Sequence, residues 1–178
     1  MKAKNEMRIS FPSNSNNEAF GRAVVAAFAE QLDPTIDELS DIKTAVSEAV
    51  TNCIVHAYRD TIGMIYITAK YDDHGTLQIK IRDKGCGIAD VEQAMQPLFT
   101  TAGEERAGLG FAVMESFMDK LRVTSKLGSG TTVTMQKNLA RRVMKNGSGS
   151  VDTGKHELTT CILHTSDDAD ESPYVNPV

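Results

Sequence analysis

The segment "SEAVTNCIVHAY", from Ser47 to Tyr58, places polar side chains at a regular spacing in an otherwise apolar run. Glu48, Asn52 and His56 recur every four residues, and residues at that spacing share one face of a helix. A solvated helix face is one explanation of this trio, although the flanking residues are apolar. A binding site is the other, because an Asn oxygen can ligate Mg²⁺ and a Glu can accept a proton from an attacking hydroxyl or water.

The length and composition indicate one folded domain of ordinary size, since 178 residues suffice for a sizeable core but are few for two domains. The sequence contains neither an apolar run of about eighteen residues nor a signal-peptide pattern. It therefore predicts no membrane span and a cytoplasmic location. The cysteines Cys53, Cys86 and Cys161 are odd in number and lack a CxxC spacing, which argues against disulfides and a zinc site. Any metal is expected to be a hard cation with oxygen ligands.

The net charge of −5 is concentrated near the C-terminus. Residues 147–178 contain six acidic side chains and one lysine, so the rest of the chain balances at 18 basic and 18 acidic residues. Such a balance gives no electrostatic basis for direct binding of nucleic acid. The "NGSGS" stretch has linker composition, so we expect a folded domain over 1–145 and a disordered acidic tail over 146–178, with a fusion remnant as an alternative origin of the tail.

The hydrophobic pattern predicts alternating groups of strands and helices. "MRISFPS" alternates like a strand, and Ser15 to Glu18 fits a capping box that starts a helix ending near Leu32. Asp33 is the predicted N-cap of a long second helix, with Pro34 at its first position. "GMIYITAKYDD" and "TLQIKIRD" form a predicted hairpin.

After this hairpin we expect a short helix near Val91 to Met95 and a mobile loop, "PLFTTAGEERAGLG". A helix over "LGFAVMESFMDKL", with Leu121 on its apolar side, and a second hairpin turning at 128–130 complete the domain. This order predicts an α/β two-layer sandwich, in which helices cover one face of a mixed, mostly antiparallel sheet.

Three further blocks carry candidate chemistry. In "DKGCG", Asp83 follows a strand and precedes two glycines; the block is either a simple turn or a site where a carboxylate accepts a hydrogen bond from an amino group such as that of adenine. "GLG" opens a helix behind Arg106, as an N-cap turn or a phosphate site. "GSGTTV" places Thr131 and Thr132 at the start of the last strand, where a hydroxyl could complete a base pocket beside Asp83. No GxxxxGK[ST] occurs, nor a GxGxxG after the first strand, which argues against a P-loop and a dinucleotide-binding Rossmann fold.

In this order the four blocks resemble the Bergerat-type ATP-binding fold shared by DNA gyrase, heat-shock chaperones, histidine kinases and the MutL mismatch-repair proteins. "SEAVTNCIVHAY", "DKGCGI", "QPLFTT" and "GLGFAVMESFMD" together resemble more closely the anti-sigma factor kinases of spore-forming bacteria, over roughly residues 5–140. The resemblance implies binding of ATP or ADP with Mg²⁺, Glu48 as general base, Asn52 as the Mg²⁺ ligand and Asp83 as the adenine-reading group. It also assigns to nucleotide binding Gly85, Gly87, Thr100, Thr101, Gly103, Arg106, Gly108, Gly110 and Thr132. His56 departs from the Asp of the wider superfamily and stays without a role.

The resemblance further implies a homodimeric serine kinase that phosphorylates an anti-anti-sigma factor and otherwise sequesters a sporulation sigma factor. Arg22, in the "EAFGRAV" block of the first helix, is the candidate partner-binding residue, with a solvated arginine as the alternative. Three other functions stay open: the catalytic half of a histidine kinase, an ATPase that drives a clamp, and a nucleotide-gated binding module without significant turnover.

Overall fold

The computed structural model describes residues 2–96 and 109–139. In chain order the elements are β1 (Asn5–Pro12), α1 (Asn17–Ala29) with a 3-10 turn (Glu30–Leu32), α2 (Ile36–Asn52) with a π-helical turn (Cys53–Ala57), β2 (Met64–Tyr71), β3 (Thr76–Arg82), α3 (Val91–Ala94), α4 (Gly110–Phe117), β4 (Lys120–Lys126) and β5 (Gly130–Asn138). The five strands form one sheet in the order β1-β2-β3-β5-β4, and each neighbouring pair is antiparallel.

The core lies between one face of this sheet and the helices. Side chains of a strand alternate between its two faces, so Ile65 and Ile67 of β2 point into the core, as Ile79 and Ile81 of β3 do. From the helical layer α2 contributes Ile42, Ala45, Val46, Ala49 and Val50, which are fully buried. The predicted two-layer α/β sandwich is therefore confirmed. Within the described residues, none of the helices combines the length and apolar character needed to cross a membrane.

The start of α2 differs from the sequence prediction. Asp33 is not the N-cap; it ends the preceding 3-10 turn in a left-handed conformation with a φ of 50°. Thr35 is the N-cap instead, because its hydroxyl accepts a hydrogen bond from the Glu38 N–H while the Glu38 carboxylate accepts one from the Thr35 N–H. This reciprocal pair is a capping box, which satisfies two backbone donors at the helix start.

The start of α1 also differs, because the predicted capping box from Ser15 to Glu18 is absent. Asn16 occupies the N-cap position without a side-chain cap hydrogen bond. The Glu18 carboxylate instead accepts a hydrogen bond from the Ser47 hydroxyl on α2 and pairs with Arg22. A tertiary contact has taken the side chain that the local pattern assigned to capping.

Beyond β3 the predicted order of elements holds, with one shift at a boundary. α4 ends at Phe117, and Leu121, predicted on its apolar side, lies in β4. Two predictions fall outside the described residues: the mobile loop, for nearly all of its length, and the acidic tail 146–178. The boundary at 145 stays a prediction.

Candidate active site

A cavity of about 940 Å³ opens where the C-terminal part of α2, the loop after β3 and the start of α4 meet. Six residues singled out in the sequence line it together, although they come from three separate segments: Glu48, Asn52, His56, Asp83, Gly87 and Gly110. The polar stripe of the quoted segment therefore faces a cavity. The solvated helix face, its simpler explanation, is not what the structure shows.

The end of the quoted stretch is not regular α-helix. From Cys53 to Ala57 the backbone forms a π-helical turn, a feature frequent at functional sites. The carbonyls it exposes are used by the loop after β3: Cys86 donates from its backbone N–H to Ala57 O at 3.1 Å, and its thiol lies 3.1 Å from His56 O. A Cβ atom at Gly85 would come within 2.2 Å of Ala57 O. Gly85 thus allows this close packing and does not itself line the cavity.

Tyr58 anchors the same loop from the other side. Its hydroxyl accepts a hydrogen bond from the Lys84 N–H at 2.7 Å and donates to Met64 O at 2.9 Å. The turn that follows Asp83 is therefore fixed to the end of α2 and to the start of β2.

Asp83 is a buried carboxyl group, with 3% of the residue exposed. Its Oδ1 accepts hydrogen bonds from the N–H groups of Gly85 at 2.9 Å and Thr131 at 3.1 Å. Its Oδ2 lies 3.8 Å from the thiol of Cys53, which is a weak donor, so this oxygen keeps capacity to accept a stronger hydrogen bond. Burial raises the pKa of Asp83 above its usual value, and the two N–H donors oppose that rise.

Cys53 contributes to the same end of the cavity as a neutral thiol. Burial, and then the negative charge of Asp83, raise the pKa of Cys53 well above its ordinary value. The protonated thiol is therefore the form that faces the carboxylate. No local sequence pattern marks Cys53 as a residue of the site.

The structure corrects the predicted threonine. Thr132 does not line the cavity; it lies on the open face of the sheet, in a shallow hollow shared with Lys80 and Arg122. Thr131 lines the cavity instead and donates its N–H to Asp83. Successive residues of a strand point to opposite faces of the sheet, so an error of one position placed the predicted hydroxyl on the open face instead of in the cavity. Counting from the buried Val133 and Met135 would have identified Thr131 from the sequence.

Glu48 and Asn52 meet the start of α4 at the other end of the cavity. A methyl group at Gly110 would lie 3.0 Å from Glu48 Oε2 and 3.3 Å from Asn52 Nδ2, which is close contact. The two side chains offer a carboxylate and an amide oxygen side by side. Mg²⁺ commonly takes one or two such protein ligands and completes its shell with water and substrate phosphates, so these residues fit that ion. Among the described residues there is no cluster of three or more His, Cys, Asp or Glu that could hold a metal.

Five further residues predicted to bind nucleotide fall outside the described residues: Thr100, Thr101, Gly103, Arg106 and Gly108. Arg22 lies on α1 and does not line the cavity. Its guanidinium Nη1 lies 3.1 Å from Glu18 Oε1 and 3.1 Å from Ser47 Oγ, and 42% of its side chain is exposed.

Comparison of the sequence with known families finds a match to the histidine kinase-like ATPase domain over residues 11–137. Individual relatives are similar over most of the chain. The anti-sigma F factor of Caldanaerobacter subterraneus is 59% identical over 142 residues, which cover 79% of this chain and 99% of the relative. The anti-sigma F factor of Heyndrickxia coagulans is 52% identical over 139 residues, covering 77% of this chain and 95% of the relative.

Solved structures show the same fold at lower sequence identity. The RsbU and RsbW domains of a Mycobacterium tuberculosis protein superpose with a TM-score of 0.56 and 20% identity, over 76% of this chain and 32% of that one. A blue-light activated histidine kinase of Erythrobacter litoralis gives a TM-score of 0.51 and 20% identity, over 67% of this chain and 41% of that one. These two structures therefore share the fold of this chain.

Proposed function

Because this chain belongs to the histidine kinase-like ATPase domain family and, within it, to the anti-sigma F factors, we propose that it is an ATP-dependent protein serine kinase. Its proposed substrate is an anti-anti-sigma factor, and its proposed target for inhibition is a sporulation sigma factor. The observation that carries the proposal is one cavity with a buried carboxylate at one end and Glu48, Asn52 and Gly110 at the other.

The Asp83 end of the cavity is the proposed adenine site. A carboxylate accepts hydrogen bonds and cannot donate them, so it selects an amino group over a carbonyl on the base. Oδ2 of Asp83 is the oxygen proposed to accept from adenine, because Oδ1 already accepts from two backbone N–H groups. Thr131 and Gly87 line the same end.

The opposite end is the proposed phosphate site. Asn52 and Glu48 fit a Mg²⁺ ion that accompanies ATP, and Gly110 places the first turn of α4 against them. When bound, Mg²⁺ neutralises phosphate charge during transfer. Backbone N–H groups at a helix start favour anions, and the absence of a side chain at Gly110 lets the phosphates approach.

Glu48 is the proposed general base. It accepts the proton of the substrate serine hydroxyl while that oxygen forms a bond to the γ-phosphorus of ATP. The bond between the γ-phosphorus and the β–γ bridging oxygen breaks, and ADP leaves. General base catalysis typically contributes about 10²- to 10⁴-fold, and positioning and charge stabilisation supply the rest.

The partner surface is proposed to include Arg22 on α1, where sigma factor and anti-anti-sigma factor compete. We propose a homodimer acting in the cytoplasm, where transcription takes place. ATP and ADP are proposed to favour different conformations of this surface, because each nucleotide binds the two conformations with different affinity. One molecule can then both phosphorylate one partner and sequester the other.

The proposal is tested by incubating the protein with labelled ATP, Mg²⁺ and a purified candidate anti-anti-sigma protein. We expect label on a serine of that protein, and incorporation about 10²- to 10⁴-fold slower when Glu48→Gln replaces the wild type. Label on a histidine would instead identify a histidine kinase. Release of free phosphate alone would identify an ATPase. Binding of ATP with neither labelled protein nor free phosphate would identify a nucleotide-gated binding module.

A further inference from the structure

Lys137, near the end of β5, is a buried lysine that does not line the cavity. Its Nζ lies 2.9 Å from Asp41 Oδ2 on α2 and donates to the Phe117 carbonyl oxygen at 2.6 Å. Lysine is almost never buried unless its charge is paired. Here the ammonium group interacts with a carboxylate of α2 and with a carbonyl oxygen of α4. The side chain therefore joins β5, α2 and the last residue of α4 at one point.

Asp41 belongs to the same stripe of α2 as the residues of the proposed phosphate site. It precedes Glu48 by seven residues and Asn52 by eleven, which are spacings that return to one face of a helix. One face of α2 thus carries Asp41 at its beginning and the Glu48–Asn52 pair at its end.

α4 is linked to this stripe at both of its ends, directly at its start and through Lys137 at its last residue, and it runs antiparallel to α2. At its first residue, Gly110 lies against Glu48 and Asn52. At its last residue, the Phe117 carbonyl is held through Lys137 to Asp41. The last carbonyls of a helix have no partner within the helix, and a cation there is favourable. The lysine contact therefore adds a polar link between the end of α4 and α2 to the apolar packing of α4 on the core.

We propose that Lys137 is a positioning residue for phosphoryl transfer, which acts by holding α4 so that Gly110 stays against Glu48 and Asn52. This inference rests on the proposed kinase function. Displacements of about 1 Å at a reacting centre can cost about 10²-fold in rate, so a helix anchored at one end only is expected to impair transfer. The Asp83 end of the cavity is fixed separately, by the pairing of β3 with β5 and by the Thr131 N–H.

The two ends of the cavity therefore respond differently to Lys137→Met, which removes both bonds but keeps the length of the side chain. We expect the affinity for adenosine to stay within about twofold, because adenosine needs only the Asp83 end. Affinities for ATP and ADP are expected to fall about tenfold, and kcat about 10²-fold. Asp41→Asn leaves the Phe117 bond in place and is expected to show a smaller loss. Lys137→Arg keeps the charge and is expected to restore part of the activity.

Thr35→Ala is the matched control, because it removes the α2 capping box and lowers stability without touching the contacts of α4. Thermal melting first establishes that each variant is folded, and calorimetry then gives the affinity ratio of ATP to adenosine. A ratio that falls in Lys137→Met and not in Thr35→Ala supports the positioning role. A ratio unchanged in Lys137→Met, Asp41→Asn and Lys137→Arg overturns it while leaving the kinase function intact. Wild-type protein that binds no ATP overturns the kinase function, and the positioning role with it.

Discussion

At Asp83, burial and hydrogen bonding act on one carboxyl group in opposite directions. Desolvation raises its pKa, while the N–H groups of Gly85 and Thr131 lower it without cancelling the rise. The sequence identified Asp83 as a candidate because an acidic residue between a strand and two glycines fits an adenine site. The burial of Asp83 and its contact with the Cys53 thiol result from tertiary packing, so they could not be predicted from the local sequence.

Asp83→Asn is expected to separate stability from binding. A folded-state pKa above the unfolded value means that the carboxyl favours folding only at low pH, and that this contribution is lost as pH rises through the folded pKa. At pH 7 the buried charge opposes folding, so the Asn variant is expected to melt at a higher temperature. The difference should shrink as pH falls through the raised pKa towards the ordinary value. A variant that melts lower at pH 7 would contradict this account.

The same variant is expected to bind ATP about 10- to 100-fold more weakly, since a hydrogen bond to a charged group contributes about 1.5–3 kcal/mol. For the wild type, protonation of Asp83 removes the carboxylate, so ATP affinity is expected to fall as pH drops through the raised pKa. Calorimetry over a pH series measures both effects. An Asn variant with wild-type affinity would remove Asp83 from the adenine site.

Asn52→Ala tests the proposed Mg²⁺ ligand. Loss of the amide oxygen is expected to weaken nucleotide binding in the presence of Mg²⁺ about tenfold, and to leave binding in EDTA nearly unchanged, as is typical when one contact to a metal is lost. Calorimetric titrations with and without Mg²⁺ measure the two cases. An equal loss in both would show that Asn52 contributes packing and not metal binding.

At the scale of elements, periodic patterns predicted α2, the two hairpins and α3 closely, because apolar spacing determines which face of an element is buried. The helix starts were predicted less well. Glu18 bonds Ser47 and Arg22 instead of capping α1, and Thr35 replaces Asp33 as the cap of α2. At α1, a contact with the distant residue Ser47 takes the side chain that was predicted to cap the helix. At α2, Asp33 belongs to the preceding 3-10 turn, so Thr35 is the cap.

The turn between β4 and β5 offers a matched pair of glycines. Gly128 and Gly130 have positive φ values of 73° and 94°, which disfavour any side chain. A Cβ at Gly128 would meet nothing within 4 Å, whereas one at Gly130 would lie 2.3 Å from Asp83 O. Gly128→Ala is expected to cost about 1–2 kcal/mol from backbone strain alone.

Gly130→Ala adds a steric collision to the same strain and displaces the backbone of Asp83. We expect a larger loss of unfolding free energy than in Gly128→Ala, together with weaker ATP binding, which Gly128→Ala should retain. Urea denaturation and calorimetry on the pair measure these quantities. Equal losses of stability, with ATP affinity kept in both, would show that the contact of Gly130 with Asp83 does not matter to the site.

At the scale of the whole molecule, the site forms where three segments distant in sequence meet at one end of the sandwich. Their order along the chain made the fold predictable, because the blocks together resemble one ATP-binding architecture. Their geometry was not predictable in the same way: Thr131 replaced Thr132, and the link from Lys137 to Asp41 and Phe117 joins residues that no local motif connects. The resemblance to a known family implies roles for individual residues, whereas contacts between the helices and the sheet are seen only in the structure.

The partner surface is tested by Arg22→Glu, with Lys80→Glu on the opposite, open face of the sheet as the control. The Arg22 pair with Glu18 is partly exposed, and such pairs contribute about 0–1 kcal/mol, so the fold should persist. We expect affinity for the sigma factor and the anti-anti-sigma factor to fall at least tenfold in Arg22→Glu only, with ATP affinity kept. Surface plasmon resonance measures the partner affinities. Unchanged affinity for both partners would remove Arg22 from the surface.

The most direct test of the central claim compares ATP binding and phosphoryl transfer in wild type and Glu48→Gln under the same conditions. Gln keeps the shape of the side chain and cannot accept the serine proton as a carboxylate does. The account predicts ATP affinity close to that of the wild type and a single-turnover transfer rate lower by about 10²- to 10⁴-fold. Transfer at the wild-type rate by the Gln variant would contradict it.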